Sequence, residues 1–168
     1  MTLVAWIHTE GALLSNKYHV FELAYQDILG MQKTFFIKSP ISYYTAKKQN
    51  PYLQKSCETI ICTKSMYKNN KVYSFNSVLN FLKKQFYLFK MIFKNCLFGY
   101  KGASFQPDIL RKANIPAINL EDLKFPSIAT LAQRYPHIKR QYCPFHPSKY
   151  NKCATHILNL FSTYNIFQ

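Results

Sequence analysis

At 168 residues the chain is long enough to bury one sizeable core, and a single domain over 1–168 is expected. Charged and aromatic residues each make up 17% of it, which excludes an intrinsically disordered chain. Against 7 Asp and Glu stand 22 Lys and Arg, and the resulting net charge of +15 points to a polyanionic partner, nucleic acid before an anionic membrane surface.

Enrichment in Lys, Asn, Tyr, Phe and Ile is also what AT-rich coding sequence produces, so charge speaks to partners and not to fold. No uncharged apolar run reaches about 18 residues, and no membrane insertion is expected. Lys83, Lys84, Lys90 and Lys94 interrupt the most apolar stretch, Val78 to Phe98. The first eleven residues lack a basic region and carry Glu10, which is unlike a secretory signal. Five cysteines without framework spacing suit reduced thiols, hence an intracellular protein, nuclear or cytoplasmic.

In chain order, Thr2–Ile7 is short, apolar and partly β-branched and reads as a strand. Asn16–Ile28 and Thr34–Lys38 are the next two, joined through a turn at Gly30 into an antiparallel meander. Residues 41–71 form an irregular insertion, long for a compact domain. Val78, Leu79, Leu82, Phe86, Phe89, Ile92 and Phe93 then recur at helical spacing, so Asn76–Phe93 is a helix that Ser74 or Asn76 could cap. Leu97–Tyr100 is a strand and Ser104–Ala113 a helix with Pro107 in its first turn. Ile115–Leu120 is a strand and Pro126–Tyr135 a helix. A basic Cys/His segment over 137–156 runs into a last helix, Lys152–Tyr164, where Cys153, Ile157, Leu160 and Phe161 share a face. The order predicts an α/β fold: a mixed five-stranded sheet, three antiparallel strands plus two parallel ones, with helices on both faces.

Three segments carry a family resemblance. His8-Thr9-Glu10-Gly11 closes the first strand. Lys101-Gly102-Ala103-Ser104-Phe105-Gln106 precedes a helix. Lys152-Cys153-Ala154-Thr155-His156-Ile157 opens the last one. In order and spacing they resemble the motifs of DEDD-type (proofreading-like) 3′–5′ exonucleases, which have the ribonuclease H-like fold. Ile118-Asn119-Leu120 followed by Pro126-Ser127-Ile128-Ala129-Thr130-Leu131 is similar to the strand and Ser-Leu-x-x-Leu helix between the second and third motifs. A narrower similarity, to exonuclease-like reading frames of insect viruses and mobile elements, rests on three runs and a pair. The runs are Phe21-Glu22-Leu23-Ala24, Lys101-Gly102 and Asn119-Leu120-Glu121-Asp122-Leu123; the pair is Cys143 with His146.

The resemblance implies four metal-binding carboxylates. Only Glu10 is present; His8, Gln106 and Ile157 stand at the other three positions, and Leu123–Gln168 has no acidic residue. Two-metal catalysis needs clustered anionic oxygens, and Mg²⁺ selects hard ligands, so the expectation is a catalytically degenerate site. Glu121 and Asp122 could restore a weaker site for Mg²⁺ or Mn²⁺, the route by which the chain would be an active, metal-dependent 3′–5′ exonuclease.

Two further patterns complete the reading. Cys143, His146, Cys153 and His156 have zinc-ligand spacing and would make a closed structural Zn²⁺ site; the alternative is that Cys153 packs in the core and the two histidines lie on the surface. Lys101, Arg134, Lys139, Arg140, Lys149 and Lys152, with Tyr142 among the interleaved aromatics, suit phosphate contact and base stacking on single-stranded nucleic acid. The expected function is nucleic-acid binding on a degenerate exonuclease-like domain. A protein-contact or self-associating module would instead use helix Asn76–Phe93, should Tyr87 and Met91 be exposed.

Overall fold

A computed structural model describes residues 1–14, 16–38, 48, 71–102, 105–136 and 154–164. Their strands are β1 (Thr2–Leu14), β2 (Lys17–Asp27), β3 (Gln32–Ile37), β4 (Val72–Tyr73), β5 (Cys96–Tyr100) and β6 (Ala117–Asn119). The helices are α1 (Phe75–Ile92), α2 (Gln106–Lys112), α3 (Ile128–Arg134) and α4 (Ala154–Thr163). All the strands join one mixed sheet in the order β4-β3-β2-β1-β5-β6. β2 runs antiparallel to β1 and β3; β5 is parallel to both β1 and β6.

The α/β class, the meander and the two parallel strands agree with the sequence expectation, but the sheet has six strands, not five. The extra one, β4, is two residues that pair in parallel with Phe36 and Ile37. Two residues carry no readable alternation, and pairing with β3 alone creates the strand. β1 also runs well past Ile7, because the polar run from His8 to Glu10 is ladder and not loop.

Alternation along the strands divides the interior into two cores. Val4, Ile7, Leu23, Tyr25, Phe35 and Ile37 face one way, against Val78, Leu82, Phe86 and Phe89 of α1 and Ile109 and Leu110 of α2. Trp6 and Ala24 face the other way, against Leu131 of α3 and Ala154, Ile157, Leu158 and Phe161 of α4. The helices are cut where the sequence provides stops. Ser74 caps α1 by accepting from the Ser77 amide at 3.1 Å, and Ser127 caps α3 from the Thr130 amide at 3.0 Å. Asn114 ends α2 with a left-handed φ of 55°, which Asn tolerates better than most residues. Among the described residues no helix is long and apolar enough to cross a membrane.

Candidate functional site

The first motif lies in the second half of β1, where pleating sends alternate side chains to opposite faces. His8 turns to the α4 side, its ring edge-on to Phe161 at 6.4 Å between centroids. Glu10 follows on the same face, with His8 Nε2 and Glu10 Oε1 3.4 Å apart. His8 is buried, and its Nδ1 has no hydrogen-bond partner among the described residues.

Register adds a residue that the motif reading missed. Glu10 is the direct cross-strand partner of Glu22, which is only 3% exposed. Directly opposed side chains on an antiparallel ladder have Cβ atoms about 4.5–5.5 Å apart, so two acidic side chains share one patch of the sheet. The ladder then slips at Glu10/Gly11, leaving Phe21 as the extra residue of a β-bulge. That slip is why spacing alone does not reveal the pairing.

On the other face, Tyr18 lies over Gly11 and stacks on Phe105, just before α2. A Cβ at position 11 would meet the His19 carbonyl oxygen below contact distance and the Tyr18 ring at 2.8 Å. Burial, and then the charge of Glu10, push the Tyr18 phenol well above its ordinary pKa, so it stays protonated. Gly11→Ala is expected to destabilise by about 1–3 kcal/mol, the usual cost of overpacking, and to shift the Tyr18 ring. Urea unfolding and Tyr18 ring NMR shifts would check this; a change within about 0.5 kcal/mol and an unmoved ring would contradict it.

The other motif positions do not join His8 and Glu10 in one polar cluster. Ile157 is buried in the apolar layer of α4. Gln106, 5% exposed, opens α2, whose Ile109 and Leu110 pack on the opposite side of the sheet. Among the described residues no hydrogen bond or ion pair links Gln106 to His8 or Glu10. The same residues contain no group of three or more His, Cys, Asp or Glu side chains placed to hold a metal ion.

Lys101 follows β5 and is 9% exposed. Its Nζ donates to the Phe125 carbonyl at 3.2 Å and lies 3.5 Å from Glu121 Oε1. An ammonium so placed is a strut between the end of β5 and the β6–α3 connection. Lys101 is among the residues expected to contact phosphate; a long apolar stem with a carbonyl at its end lets it be buried. Glu121 is paired with Lys101, while Asp122 and Arg134 are exposed. Lys139, Arg140, Tyr142, Lys149 and Lys152 lie outside the described residues, as do Cys143, His146 and Cys153 and the side chain of His156. Nearly all of the 41–71 insertion lies outside them too.

What the described groups can do chemically is limited. Two acidic side chains and an imidazole can accept donors from a ligand, but they fall short of the anionic cage that two-metal cleavage uses. No protein-family model, curated protein or solved structure matches the chain.

Proposed function

We propose that this chain is an intracellular nucleic-acid-binding protein, favouring single strands, built on a ribonuclease H-like, exonuclease-like domain whose metal site has degenerated. The strand order β3-β2-β1-β5-β6, with β2 alone reversed, supports the fold assignment. Burial of Ile157 among apolar side chains supports the loss of a metal ligand there. The observation that carries binding is charge without local compensation. The net charge is +15, and several of the few acids already have partners within the chain: Glu10 beside His8, Asp27 in a turn, and, at the surface, Asp108 with Arg111 and Glu121 with Lys101. The outward field is therefore set by lysine and arginine, which attract phosphate and release its counterions.

Anisotropy titration of a labelled single-stranded oligonucleotide tests this. If about six phosphates are contacted, affinity is expected to fall on the order of 10³-fold between about 50 and 200 mM salt. Glu10→Ala should leave that affinity unchanged or raise it, since an acid near phosphate only repels. Affinity independent of salt would overturn the binding reading. Mn²⁺-dependent shortening of the strand that Glu10→Ala abolishes would replace the degenerate-site reading with an active nuclease.

One observation favours a second reading, a protein-contact module. Tyr87, Leu88, Met91 and Ile92 are 64%, 43%, 77% and 68% exposed on one stripe of α1, the stripe a partner helix would need. Solution mass across a concentration series would show whether the chain self-associates, and Met91→Lys whether this stripe is responsible.

A further inference from the structure

On the α1/α2 side of the sheet a cleft of about 260 Å³ opens where the start of β2, the end of β3, the first residue of α1 and helix α2 converge. It lies on the face away from His8 and Glu10. Val20, Ile37, Phe75 and Ile109 give it apolar walls, and the stacked Tyr18 and Phe105 rings form one side. Lys17, Lys38 and Lys112 stand at its rim, all exposed. None of the three makes an ion pair with a described residue; the ammonium of Lys112 lies 5.6 Å from the centre of the Phe75 ring. Among the described residues the one acid at the rim, Asp108, is bound by Arg111 at 2.8 Å. Three lysines without an acid partner among the described residues, around an apolar hollow, make a site for a ligand with a compact multiple negative charge and a flat, weakly polar body.

A phosphate monoester carries about −1.5 to −2 at pH 7, whereas an internal diester of a strand carries one charge. Three lysines therefore match a terminal phosphate better than a strand passing through. The size sets a second limit. Sites for drug-sized ligands run about 300–1,000 Å³, so this cleft holds a single ring-and-phosphate unit and not a length of strand.

We propose that this cleft binds one nucleoside monophosphate, with Lys17, Lys38 and Lys112 around its phosphate and the ring against Val20, Ile37 and Ile109. The choice of ligand class rests on the nucleic-acid reading above; the shape and charge of the cleft do not. The same monoester occurs in a free nucleotide and at the phosphorylated end of a strand.

Backbone amide NMR titration of the full chain with a nucleoside 5′-monophosphate tests it, with the uncharged nucleoside and inorganic phosphate as comparison probes. Shifts are expected at residues 17–20, 37–38 and 105–112. The double variant Lys38→Gln/Lys112→Gln, altered only at exposed positions, should weaken binding about tenfold or more, as loss of two charge-assisted contacts implies. Lys90→Gln/Lys94→Gln removes the same charge at the far end of α1 and should change affinity less than about twofold, because the charge is more than a screening length from bound phosphate. Shifts centred elsewhere, equal loss in the two double variants, or nucleoside binding as tight as nucleotide would each overturn the proposal.

Oligonucleotides with a 5′-phosphate, a 3′-phosphate or neither separate the sources. A preference for one phosphorylated end that the cleft variant abolishes supports the strand end; cleft binding of free nucleotide without such a preference supports the free nucleotide. Salt-sensitive strand binding without any mononucleotide response overturns the cleft and leaves the broader function standing. Mononucleotide binding in the cleft beside salt-independent strand binding overturns the broader function and leaves the cleft.

Discussion

Replacing Asp27 with alanine is expected to lower the unfolding free energy by about 3–5 kcal/mol. The residue ends β2 and is 3% exposed. One of its carboxylate oxygens accepts from the amides of Leu29 and Met31, both at 3.0 Å; the other accepts from the Tyr25 hydroxyl at 3.0 Å. Those contacts lock the turn to β3, where Gly30 supplies a left-handed φ of 84°. Truncation strands the Tyr25 hydroxyl in a fully buried place, at about 1–3 kcal/mol for a lost buried partner, and leaves two turn amides to partial solvation. Burial and the adjacent Asp27 charge push the Tyr25 phenol far above its ordinary pKa, so it stays a donor at every pH at which the protein is folded. Asp27→Asn keeps the turn acceptor and should lose about half as much. Urea unfolding of the three proteins would decide; a loss below about 1 kcal/mol for the alanine variant would mean that the carboxylate does not set the turn.

The importance of Asp27 could not be read from the sequence, and the reason is general for this chain. Features that depend on one element were legible. The apolar stripe of α1 with Ser74 as one of its two cap candidates, the Pro-started α2 and the existence of α3 all follow from spacing over a few residues. So did the meander, because Gly30 sits between two β-rich runs. Features that depend on pairing were not. The opposition of Glu10 and Glu22 needs the bulge at Phe21 to be known, since a one-residue slip turns every following side chain to the other face. β4 exists only as a short addition to β3. β6 is three residues, shorter than its apolar run, because it is held only by Phe98, Gly99 and Tyr100 of β5.

The same distinction applies to the candidate site. Its first motif was expected to close a strand ending at Ile7, but His8-Thr9-Glu10-Gly11 lies inside β1, which pairs with β2 as far as Leu14, with His8 against Phe161 of α4. The burial of Lys101 was not legible, because its partner is a main-chain carbonyl 24 residues along the chain and no composition rule signals such a contact. The lysines of the cleft come from three separate elements and belong to no motif, so only the folded arrangement of β2, β3 and α2 brings them together. Exposure of Tyr87 and Met91 was left open by the sequence; the structure shows it, because the helix carries more apolar residues than one buried stripe can use.

Ile157→Asp is expected to destabilise the protein by about 3–5 kcal/mol, and the result bears directly on the proposal of a degenerate metal site. In the exonuclease resemblance this position supplies the last carboxylate. Here Ile157 is 5% exposed and belongs to the layer formed by Trp6, Leu120, Leu131, Leu158 and Phe161. Phe161, one turn further on, lies edge-on to both His8 and Phe125, so the helix face is packed where a solvated site would be open. A carboxylate there loses its water and gains no cationic partner from that apolar layer. It would escape by taking up a proton at a raised pKa, so the destabilisation should grow as pH rises from 5 to 8, because the unfolded chain releases that proton first. Ile157→Asn, neutral and similar in size to the aspartate, should be less pH-dependent. Urea unfolding of both variants across that pH range, with and without Mn²⁺, separates the alternatives. A large, pH-dependent loss that Mn²⁺ does not relieve means that apolar packing has replaced the ligand position. A loss under about 1 kcal/mol, or one that Mn²⁺ reverses, means that an open cation site persists beside Glu10 and Glu22, and the degenerate-site reading would then be abandoned.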